Sequence, residues 1–231
     1  KTCDTIADAF LDEALRQDKD SQMAVECAIK DDKLFIYGEA TTKAKINYEK
    51  IAREVLKEIG YENEFEIMKV ISEQSPDINQ AVVKEELCAN DQGMVYGYAT
   101  NETKEYMPLP IILSHKIMKK YDEYRRATKV YFADAKSQAS IEYDGKKPVK
   151  INTILVSVSH SEVLEQEQIF NDIKKNVIDV VLEEYKELVD ENTKFIINPS
   201  GKFTIWGSFS DSGCVGRKIV VDTYGGVGRV G

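Results

Sequence analysis

The residues able to do chemistry lie in short polar clusters that follow apolar runs or occupy turns. They are Gln74-Ser75-Pro76-Asp77-Ile78, Asp91-Gln92-Gly93, Asp134-Ala135-Lys136-Ser137-Gln138, Asn198-Pro199-Ser200-Gly201-Lys202-Phe203, Asp211-Ser212-Gly213, Gly216-Arg217-Lys218 and Asp222-Thr223-Tyr224-Gly225-Gly226. Each alone reads as an ordinary turn or a solvated face. Their combination carries more. Lys136, Arg217 and Lys218 with flanking glycines suit a polyanion such as a phosphate chain. Phe203 beside Gly201 either stacks a base or fills a core. Asp91, Asp134 and Asp211 either grip an amine or a ribose or cap turns. Glu26 shares a strand face with Ala24 and Ala28, which predicts partial burial; it is then either a paired structural carboxylate or a cation ligand.

Other chemistries are disfavoured. His115 falls mid-helix off the apolar face and His160 ends a strand, so neither reads as the base of a Ser/His/Asp triad. There is no GxxxxGK[ST] and no GxGxxG after a strand.

The positioning elements follow from periodicity. A helix is predicted over 4–16, with Ile6, Phe10, Leu11, Ala14 and Leu15 apolar. An alternating strand over 23–28 turns at Asp31-Asp32 into a return strand over 34–38. Asn47 caps a helix ending at Gly60, and a strand runs over 65–71. The same order recurs: a helix over 112–126, a hairpin turning at Asp144-Gly145 and returning over 149–157, a long helix over 165–188, and last strands over 195–197 and 203–205. Ser21-Gln22 and Ser137-Gln138 precede the first hairpin strand of each copy. The fold class read from this is α+β, a duplicated sheet covered by helices on one face. The expected domains are 1–85, joined by 211–231; a connector over 86–105; and 106–210.

The chain of 231 residues holds 31 Lys plus Arg and 40 Asp plus Glu, a net charge of −9. That balance disfavours a nucleic-acid or anionic-membrane partner held by bulk charge. With 42% hydrophobic and 31% charged residues the composition is that of a globular protein. No run approaches 18 apolar residues, and the first residues lack a signal-peptide core. Cys3, Cys27, Cys88 and Cys214 form no CxxC pair and read as reduced thiols of a cytoplasmic protein.

Taken in order, the clusters resemble the S-adenosylmethionine synthetase family. The resemblance rests on Gly38-Glu39-Ala40-Thr41-Thr42, Glu73 to Ile78, Asp91-Gln92-Gly93, Tyr98-Ala99-Thr100-Asn101-Glu102-Thr103, Met107-Pro108-Leu109-Pro110-Ile111 and Gly216 to Gly226. It implies attack of methionine sulfur on C5′ of ATP, release of triphosphate, and its hydrolysis to pyrophosphate and phosphate. It implies that Lys136, Arg217, Lys218 and Lys1 hold the phosphates. Asp134, Ser200, Lys202, Phe203 and Asp211 would serve ATP, with Phe203 on adenine. Glu39, Gln74, Asp91 and Asp211 would hold or border methionine. Glu26 would bind potassium, and magnesium would be the second cofactor. The stretch after Ile78 would gate the site. The family fold is three pseudo-symmetric α+β domains, of which two would be present, assembled as a homodimer or homotetramer with active sites at the interface.

The sequence departs from the family pattern at Lys202, Trp206, Cys214-Val215 and Val230, and the family's magnesium ligands are not among these residues. The expectation is therefore an enzyme whose 231 residues alone make little product. The alternative is a non-catalytic paralogue that binds nucleotide or scaffolds an oligomer.

Overall fold

The structure is a computed structural model that describes residues 1–73 and 92–230. The chain divides into two compact units, Lys1–Val95 with Ser208–Lys218, and Tyr96–Gly207 with Ile219–Gly231. Residues 208–218 thus return to the first unit, and 219–231 group with the second. Inside the second unit that last stretch is tied by His115 Nε2, 3.0 Å from the Val221 carbonyl, and by a Tyr98–Tyr224 ring contact.

In the first unit, α1 (Thr2–Gln17) presents Cys3, Ile6, Phe10 and Ala14 to the core at helical spacing. Leu11 and Leu15, expected on that stripe, are 40% and 42% exposed, so the buried stripe is narrower than the apolar one. The strands β1 (Gln22–Lys30) and β2 (Lys33–Thr41) form an antiparallel hairpin whose two-residue turn puts Asp31 at φ +48°. In α2 (Tyr48–Ile59) the Asn47 side chain accepts from Lys50 N at 3.0 Å, and Gly60 ends the helix at φ +117°. β3 (Glu66–Ser72) pairs parallel with β2, and β7 (Gly213–Cys214) pairs with β1, giving the order β3-β2-β1-β7.

Alternation decides which face the helices cover. Cys27, Ile29, Leu34 and Ile36 are buried, whereas Phe35, Met68 and Val70 stay exposed on the opposite face. Each large aliphatic side chain taken out of water contributes about 1.5–3 kcal/mol.

The second unit repeats the order. In α3 (Leu109–Thr128), Leu109, Leu113, Ile117 and Tyr121 are buried. Pro108 and Pro110 start it, and Glu102 Oε1 accepts from Leu109 N at 3.2 Å. β4 (Tyr131–Asp144) and β5 (Lys147–His160) are antiparallel, and β6 (Lys194–Ile197) runs parallel to β5. Helix, antiparallel hairpin, helix, then a strand parallel to the second hairpin strand: both units have this pattern.

Three expectations are corrected. Ser137-Gln138 lies inside β4, opposite Val156 and Leu155, because the strand already starts at Tyr131. The long helix is not uniform. It runs as α4 (Gln166–Ile173), a π turn (Lys174–Ile178), an α turn (Asp179–Leu182) and a 3-10 stretch (Glu183–Leu188). The π turn advances the buried face by one residue, so Ile178 and Leu182 are buried while Val181 is only partly so. Residues 203–205 are not a strand, because Asn198, at φ +44°, turns the chain out of the sheet. Among the described residues no helix is long and apolar enough to cross a membrane.

Gly38 has φ +134°, and a Cβ there would stand 2.0 Å from the Ala24 carbonyl oxygen. Backbone cannot yield as a side-chain tip does, so Gly38→Ala should destabilise the protein by about 2 kcal/mol or more and lower its thermal midpoint by roughly 5 °C. An unchanged melting curve would show that β1 and β2 part without cost.

Candidate functional site

In the second unit, Asp134 and Lys136 lie on β4, Asp134 within the irregular stretch between Tyr131 and Ala135 and Lys136 opposite Ser157. Lys136 is exposed. Asp134 Oδ2 accepts from Gly207 N at 3.1 Å, and its carbonyl accepts from Ser159 Oγ at 2.7 Å. The segment from Asn198 onward crosses the ends of β5 and β6 as an arch. Gly201 N donates to Asn198 O at 2.9 Å, closing a turn that needs Gly201 at φ +83°. Ser200 and Lys202 on the turn are exposed, and Phe203 is half-buried. Trp206 stacks on Phe132 with centroids 5.6 Å apart and planes 16° apart. The arch thus ties Phe203 to His160 at the end of β5 and Gly207 to Asp134 on β4, while Lys136, Ser200 and Lys202 stay exposed.

In the first unit, the Gly216-Arg217-Lys218 turn is tied to the start of α1. Gly216 N donates to Asp4 Oδ1 at 2.8 Å, and Lys1 Nζ lies 3.3 Å from Asp4 Oδ2. Arg217 donates to the Ser212 carbonyl at 3.4 Å, and Ser212 N donates to Asp211 Oδ1 at 2.8 Å. Lys1, Asp211, Arg217 and Lys218 are all exposed. Asp4 thus joins the Gly216 backbone and the Lys1 ammonium. Burial pulls its carboxyl upward, but the Gly216 N–H and the Lys1 ammonium outweigh it, and its pKa lies below the ordinary carboxylate value.

The remaining candidates are not drawn into either group. Glu39 is exposed on β2, opposite Ala24 and Ser72. Glu26 is exposed on the open sheet face, not partly buried as expected, because β1 is covered by helices only on its Cys27 side. The Tyr37 hydroxyl donates to Glu26 at 3.3 Å. Gln74 and Asp91 lie outside the described residues, as does most of the stretch read as a gate. Among the described residues no three His, Cys, Asp or Glu side chains are grouped to hold a metal.

Two family models match in succession. The S-adenosylmethionine synthetase N-terminal domain covers residues 1–84, and the S-adenosylmethionine synthetase central domain covers residues 86–203. The chain belongs to the S-adenosylmethionine synthetase family. The S-adenosylmethionine synthase of Clostridium botulinum (strain Alaska E43 / Type E3) is 40% identical to it over 253 aligned residues, taking in 100% of this chain. The chain spans 64% of the length of that relative.

For this synthetase-family chain, sequence reasoning missed the residues that hold the candidates in place. Asp4 carries no motif signal of its own, and its partner Gly216 is 212 residues away. The sequence places His160 only at the end of a strand, yet it is 1% exposed with both ring nitrogens engaged. Asn198 read as a turn former, yet its amide bonds both Val158 N and Val158 O.

Asp4 sets a pH dependence. A carboxyl whose folded pKa is depressed contributes stability above its unfolded value, near ~4, and loses it as pH falls through the folded pKa. Wild type should therefore be more stable than Asp4→Asn at pH 7, with urea midpoints that converge as pH approaches 3. A gap that stays constant from pH 7 to 3 would sink the assignment.

Proposed function

We propose that this protein makes S-adenosylmethionine from ATP and L-methionine. The observation that carries the reading is the unbroken succession of two synthetase domain models along the chain. The chemistry of the candidate residues supports it.

A thioether sulfur is neutral and carries no proton, so its attack on C5′ of ATP needs no general base. His160 is committed to backbone partners, and His115 faces a carbonyl, which fits that requirement. The barrier is lowered by aligning sulfur with C5′ and by stabilising the departing triphosphate. Lys136, Lys1, Arg217 and Lys218 are proposed to supply that charge. A cation about 4 Å from a phosphate charge contributes about 4 kcal/mol at an effective dielectric near 20. These groups are exposed, so water screens them until bound nucleotide excludes it. Asp134, Ser200, Lys202 and Phe203 are proposed to hold the nucleoside, with Phe203 against the base; Asp211, Glu39, Gln74 and Asp91 are proposed to border ATP or methionine. The same cations then hold the triphosphate for hydrolysis to pyrophosphate and phosphate.

Magnesium and potassium belong to this reading as cofactors that offset phosphate charge. Among the described residues no three His, Cys, Asp or Glu side chains are grouped to hold either ion. Self-association into a homodimer or homotetramer is supported by the open sheet face of the first unit. Phe35, Met68 and Val70 are 37%, 60% and 58% exposed there. The enzyme is proposed to act in the cytoplasm.

The test is an assay of the intact protein with ATP, methionine, magnesium and potassium. S-adenosylmethionine should form, and Lys136→Ala or Arg217→Ala should lower kcat by about 100-fold, the scale of one lost stabiliser of developing charge. ATP binding with no product under any ionic condition would replace this reading with the non-catalytic one. Wild-type rates in both variants would remove the two cations from the mechanism.

A further inference from the structure

The arch that carries Ser200, Lys202 and Phe203 has no sheet ladder beneath it. Backbone groups that leave a sheet need other partners, and the identity of those partners decides how rigidly the exposed side chains are presented. At the entry, the Asn198 amide accepts from Val158 N at 2.8 Å and donates to Val158 O at 3.0 Å. At the exit, Gly207 N donates to Asp134 at 3.1 Å. Between them, Phe203 is bonded in both directions to one residue, His160. His160 N donates to Phe203 O at 2.9 Å, and Phe203 N donates to His160 Nε2 at 3.1 Å.

The imidazole here stands in for a strand carbonyl. Its Nδ1 lies 2.9 Å from the Ser161 carbonyl, which can only accept, so Nδ1 carries the proton. Nε2 then has a free lone pair for the Phe203 N–H. Ser161 is itself fixed, donating its N–H to Val130 O at 2.9 Å and accepting from Leu164 N at 3.2 Å. The ring is buried and cannot swing to solvent. An aliphatic side chain in its place would leave the Phe203 N–H without a partner and free the arch.

We propose that His160 is the positioning residue for the nucleotide-facing arch: its Nε2 fixes the backbone of Phe203 and thereby pre-organises Ser200, Lys202 and Phe203 for the adenine nucleotide. The proposal rests on the synthetase reading for the identity of the ligand. His160 touches neither substrate. Its effect is on the ordering that ATP would otherwise have to impose on binding. Removal therefore weakens ATP selectively and leaves the methionine side of the reaction alone.

The experiment uses the full-length protein as wild type, His160→Leu and His160→Gln. Glutamine keeps an acceptor at the reach of Nε2 and a donor beside it. His160→Leu should raise the KM for ATP about tenfold, with the KM for methionine within twofold of wild type. His160→Gln should recover most of that loss. Hydrogen exchange without any ligand should show faster exchange over 199–206 in His160→Leu, with β4 and β5 as protected as in wild type. Equal rises in both KM values, unchanged exchange over 199–206, or deprotection spread across β4 and β5 in both variants would overturn the proposal. If wild type makes no product, the parent reading falls on that result alone. The exchange comparison still decides whether His160 holds the arch.

Discussion

A backbone that leaves a sheet must find hydrogen-bond partners elsewhere, and the candidate site depends on how that demand is met. Over residues 198–207 the partners are side chains: the Asn198 amide, the His160 ring and the Asp134 carboxylate. At Gly216 the partner is Asp4. In both places a buried or half-buried polar side chain holds a loop whose own polar side chains face outward. The charged residues that give the site its character are exposed and make few contacts, so their placement is inherited from the backbone that carries them.

The scaffold under these loops is one-sided. In each unit helices lie against one face of a sheet, and an antiparallel hairpin is extended by a strand parallel to its second member. In the first unit this leaves Phe35, Met68 and Val70 uncovered, an arrangement suited to an element that completes its burial by association. The asymmetry also explains Glu26. Its strand is half-buried, but the carboxylate is on the uncovered half, which alternation alone does not reveal.

Much of the fold was legible because local chemistry and tertiary structure agree. Asn47 and Gly60 bound α2, Asp31-Asp32 turns the first hairpin, and the apolar alternation of Cys27, Ile29, Leu34 and Ile36 marks the covered face. The misreadings arose where a tertiary partner overrode a local rule. The π turn at Lys174–Ile178 shifts a helical face by one residue to keep both Val177 and Ile178 buried. The 203–205 run has strand-like residues, but its backbone is claimed by the end of β5.

By itself the sequence determined the α+β class, the repeated order of elements, the family, and the residue types available for gripping a charged ligand. All of these follow from spacing and residue type along the chain. Only the tertiary structure decided that Asp4 holds Gly216, that His160 holds Phe203, and that Leu11, Leu15 and Glu26 are exposed. Those outcomes depend on which backbone groups lack partners after the sheets have formed. A pairing across 212 or 43 residues leaves no periodic trace in the sequence.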